Sequence, residues 1–286
     1  MDRSTSRPSS SSPSEEMQRL KYLLNKYKIK PRRESGQNFL VNDQIAKKII
    51  TAAEVNKEDI ILEIGSGLGA MTPYLCAVAK KVITVEQDRN FIPILNQLKP
   101  VCPNLEIINS DIFKVNLEKN NILNGKFKIV ANLPYNITSL IFRYFLEHGP
   151  RPSVMSVLVQ KEVAERIVAK PGQLSKLAIS VQLFGEPKIV QIVPKKDFFP
   201  EPKIDSAILL INNICLPSNI YDIKKFFRII NIGFSSKRKT LANNLSVGLK
   251  LDKKEAISLL QKSNINVNCR AQELSLEQWG IIVDRV

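Results

Sequence analysis

The sequence predicts an α/β protein: a doubly wound, mostly parallel sheet followed by a small all-helical C-terminal domain. Three observations lead there. Short apolar runs alternate with helical stretches as far as Ile211, the pattern of a parallel sheet with crossover helices. The first clear run, Asp59-Ile60-Ile61-Leu62-Glu63-Ile64, stops in Gly65-Ser66-Gly67-Leu68-Gly69 before a helix, the arrangement of a ligand-binding crossover. Beyond Asn213 the strand pattern ceases and only helical periodicities remain.

Residues 1–14 are Ser/Pro-rich and nearly without apolar side chains, which predicts a disordered tail. Arg3 and Arg7 leave an organellar transit peptide as the alternative; Asp2, Glu15 and Glu16 and the lack of an amphipathic pattern weigh against it. Residues 15–30 read as a helix with Leu20, Leu23, Leu24 and Tyr27 on one face. Seven cations and no acid fall between Arg19 and Arg33. That predicts a phosphate-contacting arm ending in Arg32 and Arg33, with a solvated face as the competing reading. After a loop at Gly36–Leu40, Asn42 or Asp43 caps a helix bearing Ile45, Ile49 and Ala53.

The second strand, Lys81–Val85, ends at Glu86, and the third, Leu105–Ile108, runs into Ser110-Asp111. The fourth, Lys128–Ala131, ends in Asn132-Leu133-Pro134-Tyr135, and the fifth is Val154–Val159. Helices over 161–170 and 175–184 precede two further strands, 188–193 and 206–211, the late pair adding an antiparallel strand. Helical patterns over 223–232, 238–247, 253–261 and 276–283 complete the chain. The organisation read from this is a tail at 1–14, an α/β domain with a basic arm at 15–213 and a helical domain at 214–286.

Composition narrows the chemistry. The 286 residues hold 42 Lys+Arg against 27 Asp+Glu, a net charge of +15, which favours a polyanionic partner over an anionic membrane surface. The helical portion alone carries 12 Lys/Arg and 6 Asp/Glu, with Lys237-Arg238-Lys239 as its candidate phosphate-contacting cluster. No apolar run approaches the length of a membrane span. Cys76, Cys102, Cys215 and Cys269 are scattered, which argues against a disulfide framework or a zinc site and for a reduced compartment. The single histidine, His148, sits at a helix end and leaves no material for Ser-His-Asp catalysis or a two-His metal site.

The strand ends carry the candidate site. Gly65, Gly67 and Gly69 let a ligand approach the backbone. Glu86, 21 residues after Gly65, suits a ribose diol, and Asp111 an adenine amino group. Gly65-Ser66-Gly67-Leu68-Gly69-Ala70 also satisfies the permissive dinucleotide pattern, so the loop alone does not separate NAD from S-adenosylmethionine. The successive strand-end acids and the turn at Asn132 favour the sulfonium cofactor, since a hydride enzyme needs a proton-handling partner. In that turn the Asn132 amide and the Pro134 carbonyl can accept the two hydrogens of an exocyclic amine, and Tyr135 offers a face for a base.

These segments together resemble the KsgA-type ribosomal RNA adenine dimethyltransferases from about Pro31 to the end. Gly36-Gln37-Asn38-Phe39-Leu40, Ile64 to Gly69, Asn132 to Tyr135, Phe198 to Ala207 and Lys237 to Leu241 are each similar to a family segment, in the family's order. Arg33-Glu34-Ser35 departs from the more basic or apolar stretch usual there. The resemblance implies a Rossmann-like methyltransferase sheet and a S-adenosylmethionine site lined by Asn38, Leu40, Gly65, Glu86, Asp111 and Asn132. It further implies that Phe198 faces the target base opposite Tyr135. The activity implied is dimethylation of adenine N6 in small-subunit ribosomal RNA by a cytoplasmic, monomeric enzyme. The alternatives are a large-subunit RNA methyltransferase and a non-catalytic ribosome-assembly factor. Leu133 and the basic helical tail lean to the first reading, and retention of the glycines, the acids and Asn132 favours an active enzyme.

Overall fold

The computed structural model describes residues 13–32, 36–217 and 222–286. Its centre is a seven-stranded sheet. In chain order the strands are β1 (Phe39–Leu40), β2 (Ile60–Ile64), β3 (Lys81–Glu86), β4 (Leu105–Asn109), β5 (Lys128–Asn132), β6 (Val154–Gln160), β7 (Glu186–Val193), β8 (Phe198–Phe199) and β9 (Ser206–Asn212). The main sheet runs β4-β3-β2-β5-β6-β9-β7, and β1 and β8 form a separate two-stranded pair. Strands β2 to β6 are parallel; β9 is antiparallel to both β6 and β7, the late antiparallel addition that the sequence predicts. The order reverses between β2 and β5, so their carboxyl ends flank the crevice where such sheets bind ligands.

The central strands are buried on both faces, as a parallel sheet demands: Ile61, Leu62, Ile129, Val130, Met155 and Val157 have no exposed surface. The helices are α1 (Pro13–Lys26), α2 (Asp43–Ala52), α3 (Thr72–Val78), α4 (Ile92–Asn96), α5 (Thr138–Arg143), α6 (Lys161–Ile167), α7 (Lys176–Gln182), α8 (Ile223–Gly233), α9 (Leu241–Leu249), α10 (Lys253–Lys262) and α11 (Leu276–Arg285). Polar residues set their starts. Asn42 accepts from the amides of Gln44 and Ile45, Ser175, Asp222 and Thr240 cap α7, α8 and α9, and full capping boxes open α10 and α11. Each cap stabilises its helix by about 1 kcal/mol.

Several boundaries shift by a few residues and Phe39–Leu40, read as loop, forms β1; two of the shifts bear on the basic segments. Helix α1 begins at Pro13, inside the expected tail, because Pro suits the first helical position and Glu15 and Glu16 favour the helix dipole; the rest of that tail lies outside the described residues. Helix α9 begins at Leu241, since Thr240 caps it, which leaves Lys237-Arg238-Lys239 in the turn after α8.

Helices α8–α11 gather around the fully buried Trp279, with Phe226, Ile229, Leu241 and Leu260. Leu174, Ala178 and Ile179 from the α7 region join the same cluster. At the other end, Leu20 and Leu24 of α1 are buried against Phe39, Val41, Leu68, Phe91 and Ile94. A helix of 14 residues is marginal alone. Burying two leucines contributes roughly 3–6 kcal/mol, so α1 is docked onto the sheet's ligand edge rather than held out as an arm. Its cations Arg19, Lys21 and Lys26 stay exposed. Among the described residues no helix is long and apolar enough to cross a membrane.

Candidate active site

A cavity of about 790 Å³ opens at the carboxyl ends of β2, β3, β4 and β5, within the range of pockets that hold a cofactor-sized ligand. The predicted residues Asn38, Leu40, Gly65, Gly67, Gly69, Glu86, Asp111, Asn132 and Pro134 all line it, and Arg32 stands exposed at its rim. Arg33 lies outside the described residues.

Gly67 sits at φ +53°, and a Cβ there would lie 3.0 Å from the Phe39 ring, so the loop has room for backbone alone. The Gly67 amide donates to the Glu86 carboxylate at 2.8 Å, and the Asp88 amide donates to its other oxygen at 2.8 Å. Burial raises the Glu86 pKa, while these amides oppose the rise. The expected ribose acceptor is thus held rigid by the loop that it faces. Asp111 caps a short 3-10 turn by accepting from the Phe113 amide at 3.1 Å with Oδ1.

The turn after β5 is fixed by polar contacts. Asn132 donates through Nδ2 to the Asn38 carbonyl at 3.0 Å, while its Oδ1 is buried without a partner among the described residues. A buried bare acceptor is costly, and a ligand N–H in the cavity would satisfy it. Gly36, at φ +67°, brings the preceding loop so close that a Cβ would lie 2.9 Å from the Tyr135 nitrogen.

Three expectations need correction. The Pro134 carbonyl is not free: it accepts from the Ile137 amide at 3.2 Å and from the Thr138 hydroxyl at 3.1 Å. The Leu133 carbonyl takes no hydrogen bond among the described residues, so it is the second acceptor available beside Asn132. Phe198, expected to face the target base, is 2% exposed in this structure and packs with Leu40 and Ile45, so it presents no open face to the site. Strand alternation explains this, because β8 pairs with β1 and sends Phe198 to the Leu40 side, while half-buried Phe199 packs on the α1 side with Phe39, under the Lys21 ammonium at 5.8 Å. Finally, the basic α1 is also a wall of the cavity, contributing Leu20 and Leu23.

Tyr135 lies just outside the cavity, half-buried, and the exposed Lys237-Arg238-Lys239 cluster is not part of it. Sequence reading missed three contributors. Ser66 brings a second buried oxygen, its hydroxyl, without a partner among the described residues. Glu63, behind the loop, accepts from the Thr72 hydroxyl at 2.7 Å, and burial pushes its carboxyl up to about 7. For the Leu133 carbonyl the available signal was Thr138, four residues after Pro134 on a starting helix, where threonine hydroxyls bond back to the i−4 carbonyl.

The donor set fits an adenosyl cofactor with a methionine tail. Glycine loop, strand-end acids and unpartnered Asn132 and Ser66 oxygens surround one cavity of adequate size. Fold and site together define a S-adenosylmethionine-dependent methyltransferase. The family model for ribosomal RNA adenine dimethylase matches residues 28–286, and the chain belongs to that family. It is 39% identical over 265 residues to the ribosomal RNA small subunit methyltransferase A of Dehalococcoides mccartyi, covering 92% of this chain and 91% of that one. Its namesake in Alkaliphilus oremlandii is 36% identical over 275 residues, 93% and 95% of the two chains. The crystal structure of a Plasmodium falciparum dimethyladenosine transferase superposes with a TM-score of 0.70 at 28% identity, covering 85% of this chain and 95% of that one. The 23S rRNA methyltransferase ErmE shares the fold, with a TM-score of 0.68 at 23% identity over 87% and 99%.

Proposed function

We propose that this chain dimethylates N6 of adenines in an exposed loop of small-subunit ribosomal RNA during ribosome biogenesis. The observation that carries the chemistry is the bare, buried Asn132 Oδ1 next to the unengaged Leu133 carbonyl. Two acceptors side by side take the two hydrogens of an exocyclic amine. The adenine amine is a weak nucleophile because its lone pair is delocalised into the ring. Accepting both hydrogens favours a pyramidal nitrogen and frees that lone pair. The sulfonium of S-adenosylmethionine supplies an electrophilic methyl group on a good leaving group. The protein's part is therefore alignment, and Asn132 is preorganised for it by its bond to Asn38. The alkylated nitrogen sheds its proton to water, so no histidine is required. Tyr135 is the stacking face for a base taken out of its stack, and a base–aromatic stack contributes about 1–3 kcal/mol. The exposed Lys237-Arg238-Lys239 turn, the cations of α1 and Arg32 supply phosphate contacts. The small subunit as partner follows the names of the relatives, and the expected form is a cytoplasmic monomer, or an organellar one if the N-terminus targets it.

The test is methyl transfer from labelled S-adenosylmethionine to unmethylated small ribosomal subunits, with Asn132→Ala in parallel and the product nucleosides mapped. Dimethyladenine in small-subunit RNA, reduced about 10²- to 10³-fold in the variant, is expected for loss of an acceptor aimed at developing charge. Label in large-subunit RNA would transfer the assignment to that subunit. Tight subunit binding without any label would leave an assembly factor.

A further inference from the structure

Tyr135 is anchored at both ends. Its turn is tied to β6 by the Leu133 amide, which donates to the Leu158 carbonyl at 3.2 Å. Its hydroxyl lies 2.6 Å from the hydroxyl of Ser206, the first residue of β9, which has no exposed surface. Strand β6 stands between β5 and β9, so the tyrosine side chain reaches across the carboxyl end of β6 to make this contact. Ser206 is itself held on both sides. It is paired with Gln160 of β6 and Val193 of β7, and the adjacent Asp205 carbonyl accepts from the Lys161 amide at 3.0 Å. Burial pushes the Tyr135 phenol up to about 12, so the group stays neutral and acts as a hydrogen-bonding handle. A tyrosine side chain has two free torsions; a bond at its tip from a rigid strand removes both.

We propose that Ser206 is a positioning residue for methyl transfer: its hydroxyl fixes the Tyr135 ring plane on which the target adenine stacks beside Asn132. The proposal rests on the stacking role given to Tyr135 above. It matters because a displacement of about 1 Å at a reacting centre can lower the rate about 10²-fold. Ser206 touches neither cavity nor base, and it acts through Tyr135 alone.

The experiment measures kcat and KM on unmethylated small subunits, and cofactor Kd by calorimetry, for Ser206→Ala, Ser206→Thr, Tyr135→Phe, Tyr135→Ala and the Ser206→Ala/Tyr135→Phe pair. Ser206→Ala and Tyr135→Phe are each expected to lower kcat about 10- to 100-fold, with cofactor Kd unchanged. Ser206→Thr restores the rate, and the double variant is no slower than the slower single one, the signature of one shared contact. Losses that multiply in the pair, a wild-type kcat in Ser206→Ala, or a parallel fall in cofactor affinity that Ser206→Thr does not rescue would each overturn the proposal. Full activity in Tyr135→Ala would refute the stacking role itself. An inactive Tyr135→Ala beside a fully active Ser206→Ala would refute the role of Ser206 alone.

Discussion

Glu63 gives the sharpest quantitative expectation. It lies on β2 at 2% exposure, and burial pushes its carboxyl up to about 7 from an ordinary 4.5, with the Thr72 hydroxyl opposing the shift and the neighbouring Glu86 adding to it. Between these two values the folded protein holds a proton there that the unfolded chain has released. Stability at this site is therefore greatest below pH 4.5 and falls as pH rises, levelling off above about 7. The full difference is about 3 kcal/mol, at roughly 1.4 kcal/mol per pKa unit. Glu63→Gln keeps the shape and removes the titration. Denaturant unfolding of both proteins at pH 4.5, 6 and 8.5 isolates this group and its coupling to Glu86, because the titrations of groups that do not interact with Glu63 cancel in the difference. The variant should match the wild type within about 1 kcal/mol at the acid end and gain about 2–3 kcal/mol at pH 8.5, the margin allowing for an imperfectly satisfied amide. A stability difference that stays constant across that range would refute the reasoning.

Two other perturbations follow from the site and the surface. Gly67→Ala forces a left-handed residue and sets a methyl 3.0 Å from Phe39; the free loop relaxes to relieve a strain of about 1–2 kcal/mol, and restoring the loop on binding should weaken cofactor affinity about 5- to 30-fold by calorimetry. Replacing Lys237, Arg238 and Lys239 together with alanine removes three exposed charges outside the cavity. Stability should change by less than about 0.5 kcal/mol for each substitution, while the salt dependence of RNA binding loses about 0.7 of a slope unit for each phosphate contact to single-stranded RNA. Measuring affinity across salt concentrations checks the second outcome, and an unchanged slope would remove this turn from the interface.

The order of strands and their loops was legible because parallel strands are continuous apolar runs and their ends are punctuated by Gly65, Glu86, Asp111 and Asn132. What was not legible depends on direction and partners. Phe198 and Phe199 are the same residue type in neighbouring positions, and only the pairing of β8 with β1 decides which ring turns inward. The Pro134 carbonyl is acceptable in isolation and is lost to Thr138 only once α5 forms. The charge count of the segment around α1 pointed to phosphate contacts; the leucine face that docks it as a cavity wall was visible, but its partner surface, from Phe39 to Ile94, was not. Glu63 reads as a polar interruption of a strand until its burial is known.

The position of β9 also governs how the protein is made. Synthesis delivers β7 before β9, yet β9 lies between β7 and β6 in the sheet. A nascent chain that ends near residue 200 therefore carries an eight-residue strand, β7, with no neighbour to pair with. Ser206 and the rest of β9 then supply both the missing neighbour for β7 and the hydroxyl that meets Tyr135, so the sheet edge and the Tyr135 anchor come into being in the same step, late in elongation. Premature termination just before this point yields a chain with every residue that lines the cavity but with an open, aggregation-prone edge.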